Sequence, residues 1–154
     1  MRGGRPRIAS VRQTRGMARW TCPNCEREFG GRNQAHVCSP GISVDELLSR
    51  HPDWVAEVYE AVVEPLRALG PVHEDAVNVG VFLKSDRTIA QFRPLVRSAQ
   101  LWLFLPDRRE DPRVSRIETT GVGRFVHLIK LTSPDDVDAQ VRSWLAEAYD
   151  LNTD

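Results

Sequence analysis

Three cysteines and a histidine within one short stretch constrain this chain more than any other feature. Residues 20–38 read WTCPNCEREFGGRNQAHVC and contain every cysteine of the sequence. The four side chains form two closely spaced pairs, Cys22 with Cys25 and His36 with Cys38, separated by ten residues. Both pairs can bind the same ion. The two cysteines of the first pair lie on a tight turn, and a short excursion of the chain brings back the second pair to complete a tetrahedron. Zinc prefers such a four-coordinate shell of sulfur and nitrogen.

Four protein ligands leave no coordination position for water, so the pattern predicts structural rather than catalytic zinc. Trp20 and Phe29 flank the cluster, and we expect both rings to pack beside the ion. The alternative is three buried thiols that behave as small hydrophobic groups. It stays open because the ligand spacing is not one of the most common zinc patterns.

Composition indicates one globular domain with a small appendage. The chain has 154 residues, of which 41% are hydrophobic and 27% charged. No apolar run approaches the roughly 20 residues that span a bilayer, so we expect no membrane association. An odd number of cysteines beside a histidine fits a reducing compartment, which predicts a cytoplasmic protein. An arginine-rich, acid-poor start would also fit an organellar transit segment.

Charge is segregated along the chain although the net charge is zero. Residues 1–38 carry eight arginines against two glutamates, and the remainder is net acidic. Residues 1–16 have neither acids nor hydrophobic periodicity, which predicts a disordered basic arm that could contact nucleic-acid phosphates. Two alternatives stay open: translation begins at Met17 rather than Met1, and the arginine bias reflects GC-rich codon usage.

The rest of the chain divides into a knuckle with its linker, residues 17–41, and an α+β domain, residues 42–151. Ser43 and Glu46 form a capping-box pattern that begins a short helix. The next helix is indicated by apolar residues at helical spacing: Val55, Val58, Tyr59, Val62, Leu66 and Leu69. Period-two alternation then predicts strands at 76–84, 88–95, 99–105 and 124–131, and residues 114–117 are a candidate for a brief extra strand. A final helix begins at 132–136. This order predicts a mostly antiparallel meander of three to five strands and a C-terminal helix.

One face of this sheet is a candidate ligand site. If the two-residue turn Ser85-Asp86 joins the first two strands, the hydrophobic face carries Val77, Val79, Val81, Leu83, Ala90 and Phe92. The other face then carries Asn78, Phe82, Lys84, Gln91, Arg93 and Trp102. Cations and amides among aromatic rings can stack bases and contact phosphates. The candidate ligand residues are Lys84, Arg93 and Trp102. His127 joins them if the alternation of its strand places it on the same face. The alternative is that the final helix or the knuckle buries these aromatics.

The sequence resembles a bacterial family over roughly residues 18–150. The resemblance lies in WTCPNC, NQAHVC, the Leu69-Gly70-Pro71 segment, the hairpin at Lys84 and RFVHLIKLTSPDDVD. The family is domain of unknown function 5655, also labelled "predicted transport protein", and it often pairs the domain with a similar knuckle. Relatives fused to nuclease-like domains imply a nucleic-acid context. The family usually has glycine after the second cysteine, where a positive φ is needed, and this chain has Glu26.

No catalytic motif is present in the sequence. It lacks the nucleophile elbow, the phosphate-binding loop and the dinucleotide fingerprint. Asp107, Glu110 and Asp111 could serve metal-dependent cleavage, but carboxylates mixed with arginines are typical of solvated surface. The sequence therefore favours a non-catalytic binding module that acts with nucleic acid or a nuclease partner. The alternative is a small-molecule-binding or enzymatic domain with its site on the polar, aromatic sheet face.

Overall fold

A computed structural model describes residues 19–36, 38, 40–121 and 123–154. The basic arm predicted for residues 1–16 lies outside the described residues. The described chain contains a two-stranded sheet, a six-stranded sheet and three α-helices. The α+β class with a C-terminal helix is therefore confirmed.

The knuckle is built on a minimal antiparallel pair of strands. Strand β1 (Trp20–Thr21) pairs with β2 (Glu28–Phe29), so that Trp20 lies opposite Phe29. The cysteine turn between the strands is closed by two backbone hydrogen bonds, Glu26 N to Cys22 O at 2.8 Å and Cys22 N to Arg27 O at 2.9 Å. This turn aims both cysteine side chains to the same side.

Two helices follow the linker, α1 (Val44–Ser49) and α2 (Asp53–Leu69). The Ser43 hydroxyl accepts a hydrogen bond from the backbone N–H of Glu46 at 2.9 Å, as the capping pattern predicts. The helical stripe of α2 is buried except for Leu69, which is 50% exposed at the end of the helix. The amphipathic pattern thus gives the buried face correctly.

The large sheet is entirely antiparallel and has six strands, one more than the upper limit predicted. Its strands are β3 (His73–Val77), β4 (Gly80–Lys84), β5 (Thr88–Pro94), β6 (Ala99–Leu105), β7 (Val114–Thr119) and β8 (Phe125–Leu131). The spatial order is β3-β4-β5-β6-β8-β7. The meander therefore breaks after β6, since β8 inserts beside β6 and leaves β7 at the edge.

The strand predicted at 76–84 is wrong. The chain turns at Asn78-Val79, and the run becomes the hairpin of β3 and β4. Val77 consequently pairs with Gly80 and lies on the face opposite to Val81, while Val79 is 51% exposed in the turn. A period-two pattern survives such a fold-back, because each arm of a hairpin alternates in the same way.

The predicted two-residue turn between β4 and β5 is also wrong. Three residues, 85–87, join these strands, and a bulge shifts the register between Leu83 and Lys84. The odd loop and the extra bulge residue compensate each other, so Leu83 still pairs with Ala90 and shares its face. The predicted grouping of Leu83 with Ala90 is therefore correct although the predicted turn is not.

The C-terminal helix begins later than predicted. Pro134–Asp136 forms a 3₁₀ turn capped by Ser133, and helix α3 (Ala139–Leu151) starts after Asp138. The Asp138 carboxylate accepts from the N–H of Val141 at 3.0 Å and so caps α3. Helices α2 and α3 pack on the sheet face that carries Leu101 and Leu103 to form the core.

The knuckle and the two long helices lie on opposite faces of the sheet. The knuckle covers the β3–β4 end of the second face, where Arg27 reaches Asp75. Within the described residues, no helix packs on the remainder of that face. We call this uncovered part the open face; it carries Gln91, Arg93, Gln100, Trp102 and Arg116. In the described chain, every helix is too short or too polar to cross a membrane.

Candidate metal centre and open face

The four residues predicted as metal ligands converge on one point. The ligand atoms of Cys22, Cys25, His36 and Cys38 all lie within 4.8 Å of one another. The Cys22 and Cys38 sulfurs are 3.7 Å apart, and the Cys25 sulfur is 3.5 Å from His36 Nε2. These side chains are close enough to hold a metal ion. In the described part of the chain, no other group of three or more cysteines, histidines or acids converges in this way.

The imidazole of His36 is oriented by its surroundings. Its Nδ1 lies 2.7 Å from the carbonyl of Gln34. Because a carbonyl can only accept, Nδ1 carries the hydrogen, and the Nε2 lone pair faces the thiols. Phe29 stacks on the ring with centroids 3.9 Å apart, and Trp20 lies 6.1 Å from it. Both aromatic residues therefore pack beside the site, as the sequence predicts.

The cysteine turn favours a thiolate at its first position. A hydrogen bond from the backbone N–H of Cys25 lowers the pKa of Cys22 to about 6, against the opposing effect of burial. Burial and the neighbouring Cys22 sulfur raise the pKa of Cys38. A metal ion would stabilise both thiolates, because thiols ligate metals in the deprotonated form.

Glu26 occupies a backbone conformation that suits glycine. Its φ is 63°, at the position directly after the second cysteine. Left-handed backbone is strained for residues with a Cβ by roughly 1–2 kcal/mol. Asn33 also has a positive φ, 55°, but asparagine tolerates this region better. The positive φ expected at this turn is present despite the substitution.

A buried charge cluster attaches the knuckle to the sheet. Arg27 of the knuckle donates to both carboxylate oxygens of Asp75 at 3.2–3.3 Å. Lys84 Nζ lies 2.7 Å from Asp75 Oδ2 and donates to the carbonyl of Glu28 at 3.2 Å. Arg27, Asp75 and Lys84 are all less than 10% exposed. This cluster therefore joins the two parts of the chain through buried groups.

Opposing effects act on the Asp75 carboxyl. Burial alone raises its pKa, but hydrogen bonds from Arg27 and Lys84 outweigh burial and leave the pKa below its usual value. Gly30 brings the knuckle into contact with the β4–β5 turn, where a Cβ would lie only 2.3 Å from the carbonyl oxygen of Asp86. The close approach at Gly30 and the ion pairs together fix the position of the knuckle.

The predicted ligand residues of the sheet occupy three different environments. Arg93 is exposed and Trp102 half-buried, both on the open face. Lys84 is only 5% exposed and bound to Asp75, so it contacts the knuckle rather than solvent. The structure thus brings Arg93 and Trp102 to one accessible surface and places Lys84 beneath the knuckle.

His127 lies on the opposite face of the sheet. It pairs with Leu103 on the helix-covered side and is fully buried. Its Nε2 accepts from the backbone N–H of Arg109 at 2.9 Å, and its Nδ1 donates to the carbonyl of Phe125 at 3.1 Å. Burial lowers its pKa, which favours the neutral ring. His127 therefore does not join Arg93 and Trp102.

Arginine–aromatic contacts on this side of the sheet were not predicted from the sequence. The Arg116 guanidinium lies 5.3 Å from the centre of the Trp102 ring, and Arg124 lies 4.5 Å from that of Phe104. Arg116 also forms an exposed ion pair with Glu118 at 3.0 Å. The brief strand expected at 114–117 is β7 in the structure, but its position beside β8 depends on the strand order.

The charged loop at 107–113 forms ion pairs on the surface. Arg109 binds Asp107 and the carboxylate of Glu147. Arg113 binds Asp111 at 3.1 Å and Asp138 at 2.8 Å. These carboxylates are paired with arginines rather than directed at a common point, in accord with a solvated surface.

Comparison with known proteins identifies a family for the larger part of the chain. A family model described as "Domain of unknown function (DUF5655)" matches residues 44–152, which include the whole six-stranded sheet and all three helices. Neither curated proteins nor solved structures gave a match. The match begins after the metal-binding cluster and supports no transport activity. Because it covers more than half of the sequence, the chain belongs to this family of domains of unknown function.

Proposed function

We propose that this protein is a zinc-stabilised, non-catalytic module that binds single-stranded nucleic acid on its open face. The observation that carries the proposal is the placement of Arg116 against Trp102 beside the exposed Arg93. No helix among the described residues covers these side chains.

The chemistry of the open face suits bases and phosphates together. An aromatic ring stacks on a base with a free energy of roughly 1–3 kcal/mol. Trp102 offers such a ring. Gln91 lies opposite it on β5 and Gln100 two residues before it on β6, and both have amide groups that can hydrogen-bond to base edges. Arg93 and Arg116 add two cations that can neutralise phosphates on a passing strand.

Zinc is the metal that the knuckle fits best. At the tetrahedral angle, two sulfurs about 2.3 Å from one zinc lie about 3.8 Å apart, and a sulfur and an imidazole nitrogen about 3.6 Å apart. The observed 3.7 Å between Cys22 and Cys38 and 3.5 Å between Cys25 and His36 support this assignment, whereas the 3.0 Å between the Cys38 sulfur and His36 Nε2 is shorter than the tetrahedral value. Bound zinc would hold the knuckle folded, so that Arg27 and Glu28 can engage the sheet.

A salt-dependent titration tests the proposed binding. A fluorescently labelled thymidine 12-mer is titrated with zinc-loaded protein, and anisotropy reports the affinity at several salt concentrations. We expect the logarithm of the affinity to fall linearly with the logarithm of salt, because phosphate contacts release counterions. Absence of binding at low salt would refute the proposal.

Two matched comparisons separate the open face from the basic arm. A chain starting at Met17 lacks five arginines of the N-terminal segment, yet it should still bind the 12-mer. Arg93→Gln on the open face should weaken binding several-fold, whereas Arg108→Gln, in the surface loop, should not. If binding is lost when residues 1–16 are removed and is unchanged by Arg93→Gln, the arm rather than the open face binds the 12-mer.

A further inference from the structure

Two adjoining cavities lie where the knuckle meets the β4–β5 hairpin. The first, of about 390 Å³, has aromatic and aliphatic walls that include Phe29, Phe82, Val77 and Val79. The second, of about 270 Å³, is lined by the cationic residues Arg19, Lys84, Arg87 and Arg124. Gln34, Lys84 and Thr88 line both cavities, so the two are direct neighbours.

We propose that these cavities form one binding site for a small phosphate monoester with an apolar or aromatic body. The phosphate occupies the cationic end, and the body occupies the apolar chamber. The family match assigns no ligand to this site. The site is also separate from the open face, since Arg93, Trp102 and Arg116 do not line either cavity.

Arg124 provides the main argument for an anion. One of its terminal nitrogens donates to the carbonyl of Thr88 at 3.0 Å, while its buried Nε has no hydrogen-bond partner in the described structure. Burial lowers the pKa of Arg124, and the positive charge of Arg87 lowers it further. A partly buried cation beside a like charge is stabilised when an anion binds between them.

Carboxylates compensate part of the positive charge at the cationic end, but none pairs with Arg124 in the described structure. Lys84 is paired with Asp75, and Arg87 binds Asp154 at 3.0 Å on the surface. Asp86 also lines this cavity, so the site is not purely cationic. Among the described residues, no carboxylate forms an ion pair with Arg124. A phosphate monoester carries nearly two negative charges and can accept several charge-assisted hydrogen bonds, including a bidentate pair from a guanidinium.

The apolar chamber determines the body of the ligand. Its volume lies near the lower end of the roughly 300–1,000 Å³ usual for small-molecule sites. Phe82 is half-buried in its wall, and Phe29 is fixed by stacking on His36. Rigid ring walls next to a phosphate subsite favour a ligand whose phosphate is attached directly to a ring or a compact apolar group.

Calorimetry with three probes tests both halves of the site on the zinc-loaded full chain. Phenyl phosphate represents the whole ligand, inorganic phosphate its charged half and phenol its apolar half. We expect phenyl phosphate to bind about tenfold more tightly than inorganic phosphate, because its ring buries apolar surface in the chamber and inorganic phosphate has no such surface. Equal affinity for these two probes would refute the role of the chamber, and no binding of either at millimolar concentration would refute the site.

Variants locate the binding. Arg124→Gln should weaken both phosphate probes about tenfold or more, because a charge-assisted hydrogen bond contributes roughly 1.5–3 kcal/mol. Val79→Asp places a carboxylate at the exposed edge of the chamber and should weaken phenyl phosphate more than inorganic phosphate. Arg108→Gln, an exposed arginine in the surface loop, is the matched control.

Two readouts keep the result interpretable. Zinc content and thermal unfolding show whether each variant is folded, and Arg87→Gln replaces Arg124→Gln if the latter is not. Folded variants at Arg124 and Arg87 that bind phenyl phosphate with unchanged affinity would refute the proposal. Binding of the 12-mer to the open face should not depend on Val79. The proposal for this site and the proposal for the open face can therefore be refuted independently.

Discussion

Asp75 Oδ2 lies 2.7 Å from Lys84 Nζ on paired strands beneath the knuckle. The same carboxylate receives hydrogen bonds from Arg27, which follows the metal-binding turn. One anion therefore compensates two buried cations across the contact between the knuckle and the sheet. This arrangement explains why Lys84 is buried beneath the knuckle and does not join Arg93 and Trp102 on the open face.

Removing the Asp75 charge should destabilise the whole chain. Asp75→Asn keeps the shape of the side chain but removes the buried carboxylate that Arg27 and Lys84 share, which costs roughly 3–5 kcal/mol. Glu60→Gln is the matched control, because Glu60 pairs with Arg67 on the surface and should contribute less than about 1 kcal/mol. Urea denaturation measures the unfolding free energy of both variants. Equally small losses in Asp75→Asn and Glu60→Gln would contradict the role of Asp75.

The contribution of Asp75 should depend on pH in one direction. Its folded-state pKa lies below the ordinary value, so its stabilisation is complete above the unfolded-state pKa of about 3.9 and is lost as pH falls through the folded-state pKa. The difference in unfolding free energy between wild type and Asp75→Asn should be constant above about pH 5 and shrink below about pH 4. Protonation of the cysteines changes the unfolding free energy of both proteins equally, so it cancels in the difference. A difference that grows on acidification would contradict this account.

Relief of the strained turn should strengthen the knuckle. Glu26→Gly removes the Cβ at φ 63° and should stabilise the zinc-bound form by up to about 1 kcal/mol, since glycine also loses more entropy on folding. Asn33→Gly tests a second positive-φ position where the gain should be smaller. Thermal unfolding of the zinc-loaded variants shows whether Glu26→Gly gains more stability than Asn33→Gly. A less stable Glu26→Gly variant would show that the carboxylate has a role of its own.

Metal removal should unfold the knuckle before the sheet. We expect one zinc per chain by elemental analysis, and a chelator should increase amide hydrogen exchange in residues 20–38 while β6 stays protected. Cys25→Ser should reproduce the effect without a chelator, because it removes one of the four ligands. Purified protein without zinc, or a sheet that unfolds together with the knuckle, would contradict this expectation.

The sequence predicts those features that depend on residues close together along the chain. The metal ligands lie within one short segment, so their spacing alone indicated the site. The charge cluster could not be predicted in this way, because Arg27 and Asp75 are 48 positions apart and meet only through the docking of the knuckle. The face of His127 depends on the strand order, in which β8 rather than β7 lies next to β6. The turn at Asn78 was hidden by valines that alternate on both sides of it.

The open face is tested most directly by a pair of substitutions at Trp102. Its indole Nε1 has no hydrogen-bond partner within the described structure, so Trp102→Phe keeps an aromatic ring and loses no hydrogen bond. Trp102→Ala removes the stacking surface, which is worth roughly 1–3 kcal/mol per base. Both variants should remain folded and zinc-loaded, because Trp102 lies outside the hydrophobic core.

The decisive measurement is the affinity of these two variants for the labelled thymidine 12-mer at one low salt concentration, in a chain that starts at Met17. The account predicts that Trp102→Phe binds within about threefold of the wild type and that Trp102→Ala binds about tenfold or more weakly. Equal affinity of wild type and Trp102→Ala would contradict the proposal that the open face binds nucleic acid.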